Sequence, residues 1–121
     1  MKKILALLLT IGSISDYSGS CLKEIIKAGG NVDAVGSSLY LNACKRARSE
    51  NYNYEMGSCI KVMASLGGHP DSVGSSLWIN ACTEAAKNGY VDSFNEFALD
   101  INAHPGAVGS SLWINSCLDD Q

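Results

Sequence analysis

Three nearly identical decapeptides constrain this chain more than any other feature. VGSSLYLNAC (Val35 to Cys44), VGSSLWINAC (Val73 to Cys82) and VGSSLWINSC (Val108 to Cys117) recur at intervals of 38 and 35 residues. A period of that size marks a stack of repeated supersecondary units. Read backwards from each copy, Cys21, Cys59 and Phe94 all lie 15 residues before the glycine of the decapeptide. Between copies the register slips, since Cys44 to Cys59 is 15 residues and Cys82 to Phe94 is 12. Rigid spacing within and variable spacing between defines three modules, at about 19–48, 57–88 and 92–120, each a first segment, a loop and a second segment.

Both segments read as helices. Cys21, Leu22, Ile25 and Ile26 form one apolar stripe, Cys59, Ile60, Met63 and Leu66 a second, and Phe94, Phe97, Ala98 and Ile101 a third. Gly29-Gly30 and Gly67-Gly68 suit helix C-terminal caps, whereas the third module has Asn102-Ala103 there. The serine pairs at 37–38, 75–76 and 110–111 stand where hydroxyls cap the second helix, and the helical faces Leu39-Tyr40-Ala43-Cys44-Ala47 and Leu77-Trp78-Ala81-Cys82-Ala85 follow them. The expectation is an all-α fold of six short helices in three stacked helix-loop-helix modules, forming a single domain over 16–121.

Residues 1–15 read differently. Lys2 and Lys3 precede an apolar run from Ile4 to Leu9, and small residues Gly12, Ser13 and Ser15 follow. This is the pattern of a secretory signal peptide, too short to span a bilayer, which takes about 20 residues. Cleavage after Ser15 leaves seven basic and twelve acidic residues. Ser18-Gly19-Ser20-Cys21 also resembles a lipobox, with Ser in place of the usual large aliphatic residue, so a lipid anchor at Cys21 is a secondary alternative. The reading is a periplasmic or secreted protein.

Export permits disulfides. Cys21 to Cys44 and Cys59 to Cys82 both span 23 residues and join the two helices of one module, whereas the third module pairs Phe94 with Cys117. The expected bonds are Cys21–Cys44 and Cys59–Cys82, which leave Cys117 outside them as a thiol or in a bond between chains; Cys44–Cys59 is the rival pairing.

The run Ile26-Lys-Ala-Gly-Gly-Asn-Val-Asp-Ala34, followed by Gly36-Ser-Ser-Leu-Tyr40, resembles the junction of ankyrin repeats, in which a GADVNA-type loop precedes a TPLHxAA helix start. Asn88-Gly89, Phe94 to Leu99 and Asp100-Ile-Asn-Ala103 resemble it again, so that the likeness covers most of 20–117. Cysteine-clipped secreted repeats of the tetratricopeptide-like superfamily are a second likeness. Either implies a stack of helix pairs, an ankyrin-like solenoid in the first case, that recognises another protein through an open surface without catalysis.

Tyr40, Trp78 and Trp113 repeat at one position and form an expected aromatic ladder, for packing between modules or for gripping a peptide or sugar ring. Asn42, Asn80 and Asn115 repeat one turn into the helix and are expected to bond the neighbouring loop. His69-Pro70-Asp71 and His104-Pro105-Gly106 occupy the loops; they read as exposed turn residues that can meet a partner, since no first-copy His completes a metal site. Glu50 to Glu55, with Tyr52 and Tyr54, reads as the longest linker and an exposed aromatic patch. Nine Lys and Arg against twelve Asp and Glu give no basic field for nucleic acid. No G-x-S-x-G elbow or phosphate loop occurs, and three copies of Gly-Ser-Ser suit caps better than a catalytic serine.

The functional expectation is an exported, non-enzymatic protein-interaction module without cofactor or metal, acting as an inhibitor or immunity protein on another exported protein. The alternative is an envelope-glycan-binding or lipid-anchored structural module that uses the aromatic ladder, and a hydrolase using His69 or His104 is a third class.

Overall fold

The computed structural model describes residues 19–119, and the expected signal peptide at 1–15 lies outside them. Six helices follow in order: α1 Cys21–Lys27, α2 Ser38–Ser49, α3 Asn53–Ser65, α4 Ser75–Asn88, α5 Val91–Asp100 and α6 Ser110–Asp119. The described residues contain no strand, so this part of the chain is all-helical. None of these helices is long and apolar enough to cross a membrane.

Helices pack in pairs, α1 on α2, α3 on α4 and α5 on α6. The first helices also touch one another in chain order, α1 on α3 and α3 on α5, and the second helices do the same, α2 on α4 and α4 on α6. One continuous core results, running from Cys21 and Ile25 through Met56, Ile60, Met63, Trp78 and Ile79 to Phe94 and Ile114.

The three decapeptides adopt one backbone. Gly36, Gly74 and Gly109 have φ of 89, 89 and 91°, a left-handed conformation that side chains disfavour. The amide three residues after each glycine donates to that glycine's carbonyl, at 3.1 Å in every copy. The first helices also end alike. Gly29 and Gly67 have φ of 100 and 99°, and the next amides, Gly30 N and Gly68 N, donate back to Ile25 O and Met63 O, both at 2.9 Å. In the third module Asn102 takes the left-handed place at φ 51°, and Ala103 N donates to Ala98 O at 3.0 Å. Asn is tolerated there because its short polar side chain suits that region better than most.

Two local expectations are corrected. The serines do not cap α2 and α4: neither helix carries a side-chain cap bond, the N-cap of α4 being Gly74, and the Ser37 hydroxyl donates instead to Val32 O at 2.8 Å, tying down the loop. The linker expected at Glu50 to Glu55 is half helix, because α3 begins at Asn53. Asn51, at φ 68°, ends α2 as Gly89, at φ 82°, ends α4, and the amides of Tyr52 and Tyr90 close both ends onto Ala47 O and Ala85 O. The register slip between modules is therefore about one extra helical turn at the start of α3 relative to α5.

Candidate functional site

Two disulfides staple the first two modules. Cys21 is bonded to Cys44 and Cys59 to Cys82, with Cα atoms 5.2 and 5.6 Å apart. The rival Cys44–Cys59 bond is absent, and the Cys21 sulfur that a lipid anchor would need is occupied. Cys117 takes part in neither bond and is buried in the core, as is Phe94 at the position of the missing partner.

The repeated aromatics face inward. Tyr40 and Trp78 are each 1% exposed, and Trp113 is half-buried with its ring centroid 6.2 Å from that of Phe94. The Tyr40 hydroxyl lies 2.7 Å from Asn31 O and 2.9 Å from Asp71 Oδ1, joining the first module to the second. Burial, and then the hydrogen bond to the Asp71 carboxylate, push its pKa up to about 12. In the next module Gly106 stands where Asp71 stands, and the Trp78 indole N–H has no acceptor among the described residues. The rings of Tyr40 and Trp78 therefore pack the modules together and offer no open face for a sugar or peptide.

His69 and His104 stay exposed, but each rests on the preceding module. A methyl group built on Gly29 would lie 2.9 Å from His69 Nε2, and one on Gly67 would lie 2.8 Å from His104 Nε2. Pro70 and Pro105 are buried beside them, over Gly30 and Gly68. Each His-Pro is thus a plug, and each Gly-Gly the socket that only a residue without a side chain can form. His69 Nδ1 also accepts from the Asp71 amide at 3.1 Å, and Asp71 Oδ2 accepts from the Asn31 amide at 2.8 Å.

Tyr52 and Tyr54 do not form one patch. Tyr52 is buried at 5% exposure, because the left-handed turn at Asn51 folds it back under α2, whereas Tyr54 on α3 is 57% exposed.

The surface that sequence reasoning missed lies on the decapeptides themselves. Across the aligned copies 21–44, 59–82 and 94–117, seven positions are identical in all three, and all seven fall within the decapeptide. Three have internal reasons. The glycine needs its positive φ, the first serine is buried, and the cysteine lies in the core. The other four are valine, the second serine, leucine and asparagine. Val35, Val73 and Val108 stand fully in solvent, at 102, 103 and 106% relative exposure. Asn42, Asn80 and Asn115 are exposed, and their side-chain amides bond no described residue, which corrects the expected tie to the neighbouring loop. Leu39 and Leu77 are half-buried and pack partly against the core, while Leu112 on the third is 80% exposed.

Val35, Leu39 and Asn42, and in the next copy Val73 and Leu77, line open grooves between neighbouring modules. One, of about 430 Å³, runs between Val35, Leu39 and Asn42 and the Pro70 loop, and the next, of about 260 Å³, between Val73 and Leu77 and the Pro105 loop. The signal was present in the sequence as identity at the fully exposed valine and the exposed asparagine, which packing does not require, but it emerges only when burial separates inward positions from outward ones. No family model, no curated protein and no solved structure matches this chain.

Proposed function

We propose that this chain is an exported, ankyrin-like helical-repeat module that binds another exported protein, without catalysis, and thereby inhibits or neutralises it. The observation that carries the reading is the outward strip of Val, Ser, Leu and Asn, kept identical in three copies whose first helices have otherwise diverged. Core packing places no demand on a fully exposed valine, so a repeated external contact is the physical reason for keeping it. The layered contacts of α1, α3 and α5 and of α2, α4 and α6 support a short solenoid, which presents such a strip on a stiff frame at little ordering cost. Two disulfides support an oxidising compartment.

The test is capture from a periplasmic or culture extract by the tagged chain and by a triple variant, Val35→Arg, Val73→Arg and Val108→Arg, whose circular dichroism should be unchanged. The native chain is expected to retain a protein that the triple variant loses. Equal retention by both, or retention of cell-wall glycan alone, defeats the reading.

A further inference from the structure

We infer that the α5–α6 end of the stack docks a basic amphipathic helix of another protein, with Leu112 and Ile101 against its apolar face and Asp100 and Asp119 against its cations. This rests on the protein-binding reading above and names what the partner presents at the third module.

Repetition shows which face is open. On α2, Leu39, Asn42, Ala43 and Arg46 line a groove with Asn80 and Thr83 of α4. The equivalent residues of α6 are Leu112, Asn115, Ser116 and Asp119, and with Ser111 they line a shallow groove of about 470 Å³ that no other described helix faces. Three apolar side chains register the difference. Leu112 is 80% exposed where Leu39 and Leu77 are half-buried, Ile101 is 47% exposed where Leu66 is half-buried, and Trp113 is half-buried where Tyr40 and Trp78 are fully buried. Pro105 seats over Gly68 beside Trp78, and the chain has no further proline to seat on Trp113.

The internal junctions show what shape fits such a face. There α4 packs on α2 and α6 packs on α4, so the matching occupant is a helix.

Charge sets the sign of the occupant. At equivalent exposed positions, from first module to third, the side chains run Lys23, Lys61 and Glu96, then Lys27, Ser65 and Asp100, then Arg46, Glu84 and Asp119. Residues 91–119 contain no Lys or Arg, and among the described residues no ion pair engages Glu96, Asp100 or Asp119. Lys87, the one basic residue of α4, lines a separate groove beside Glu84. A cationic helix therefore gains counter-charge on this face and an acidic one meets repulsion. A second copy would present its cationic first module, but Asn31-Val32 replaces the His-Pro plug there and Asn102-Ala103 replaces the socket here. Both halves of the fit used inside the chain are missing, so the occupant is a different protein.

The probe is a blocked peptide of about four helical turns, with Leu on one face and Lys on both flanks, titrated into the disulfide-bonded chain while the two indole N–H NMR signals are followed. A saturable shift is expected at Trp113 and none at Trp78. Asp100→Lys together with Asp119→Lys should weaken binding by about tenfold or more, and added salt should weaken binding by the native chain. Equal binding of the same peptide with Glu in place of Lys, an undiminished affinity in the double variant, or a shift at Trp78 as large as that at Trp113 overturns the inference. So does broadening of the Trp113 signal with protein concentration in the absence of peptide, which would make a second copy the occupant. If extract capture shows a protein lost by the valine variant and kept by the double aspartate variant, this inference fails while the interaction surface stands.

Discussion

His104 sits so close over Gly67 that a methyl group on that glycine would lie 2.8 Å from its Nε2 atom. The same residue holds a φ of 99°, so space and backbone both demand glycine there. Gly67→Ala is expected to destabilise the fold by about 1–2 kcal/mol from the left-handed backbone alone, with a further loss from the displaced imidazole. Asn102→Gly, at the matching position of the third module, should change stability by less than about 1 kcal/mol. Urea midpoints at unchanged slope provide the comparison.

The first module has Asn31-Val32 where the others have a His-Pro plug, and the third has Asn102-Ala103 where the others have a Gly-Gly socket. Installing both, by Asn31→His, Val32→Pro, Asn102→Gly and Ala103→Gly, gives ends shaped to mate. Such a contact is heterologous and does not close on itself. Sedimentation is expected to show association that grows with concentration in the fourfold variant and does not grow when either half is installed alone. A single concentration-independent species in the fourfold variant would show that plug and socket do not suffice to join modules.

Tyr40 has its pKa raised from 10.0 to about 12 by burial and by Asp71, and Tyr90 likewise by burial and by Glu84. The fold therefore favours the neutral phenols. Their contribution is whole below pH 10 and is lost as pH rises from there towards 12. Thermal midpoints should be insensitive to these two groups up to pH 10 and fall beyond it. Tyr40→Phe should cost about 1 kcal/mol at neutral pH and make the alkaline decline shallower. Phenolate absorbance followed with temperature reads both effects.

Phe94 stands 23 residues before Cys117, the separation that both disulfides span. Phe94→Cys should form a third bond, visible as protection of the Cys117 thiol from alkylation after denaturation. Closing such a loop contributes about 3 kcal/mol in the chain-entropy model. Removing a buried Phe costs about as much, here including its contact with Trp113. The melting temperature is therefore expected not to rise, although the bond forms.

The helices and both disulfides were legible because they depend on spacing, and spacing survives in sequence. The fates of single side chains were less so. Tyr52 looks like a linker aromatic until the left-handed turn at Asn51 is known, and Asn hides that turn better than Gly89 does in the next copy. Ser37 looks like a helix cap because its type and place are right, yet Val32 O competes for its hydroxyl. Tyr40 finds a partner for its polar atom and Trp78 does not, because Asp71 becomes Gly106 one module along, a dependence across about 30 residues that periodicity alone does not expose. The outward strip was printed three times in the chain, but identical residues look the same whether they are kept for the interior or for a partner.

Of the three modules, only the second carries both connectors, receiving His104-Pro105 on Gly67-Gly68 and sending His69-Pro70 onto the module before. Tandem copying of that middle unit would lengthen the protein while every new junction arrived ready-made. Copying either neighbour would produce one junction lacking half of its fit. Growth by duplication is therefore open from the centre and obstructed at the flanks.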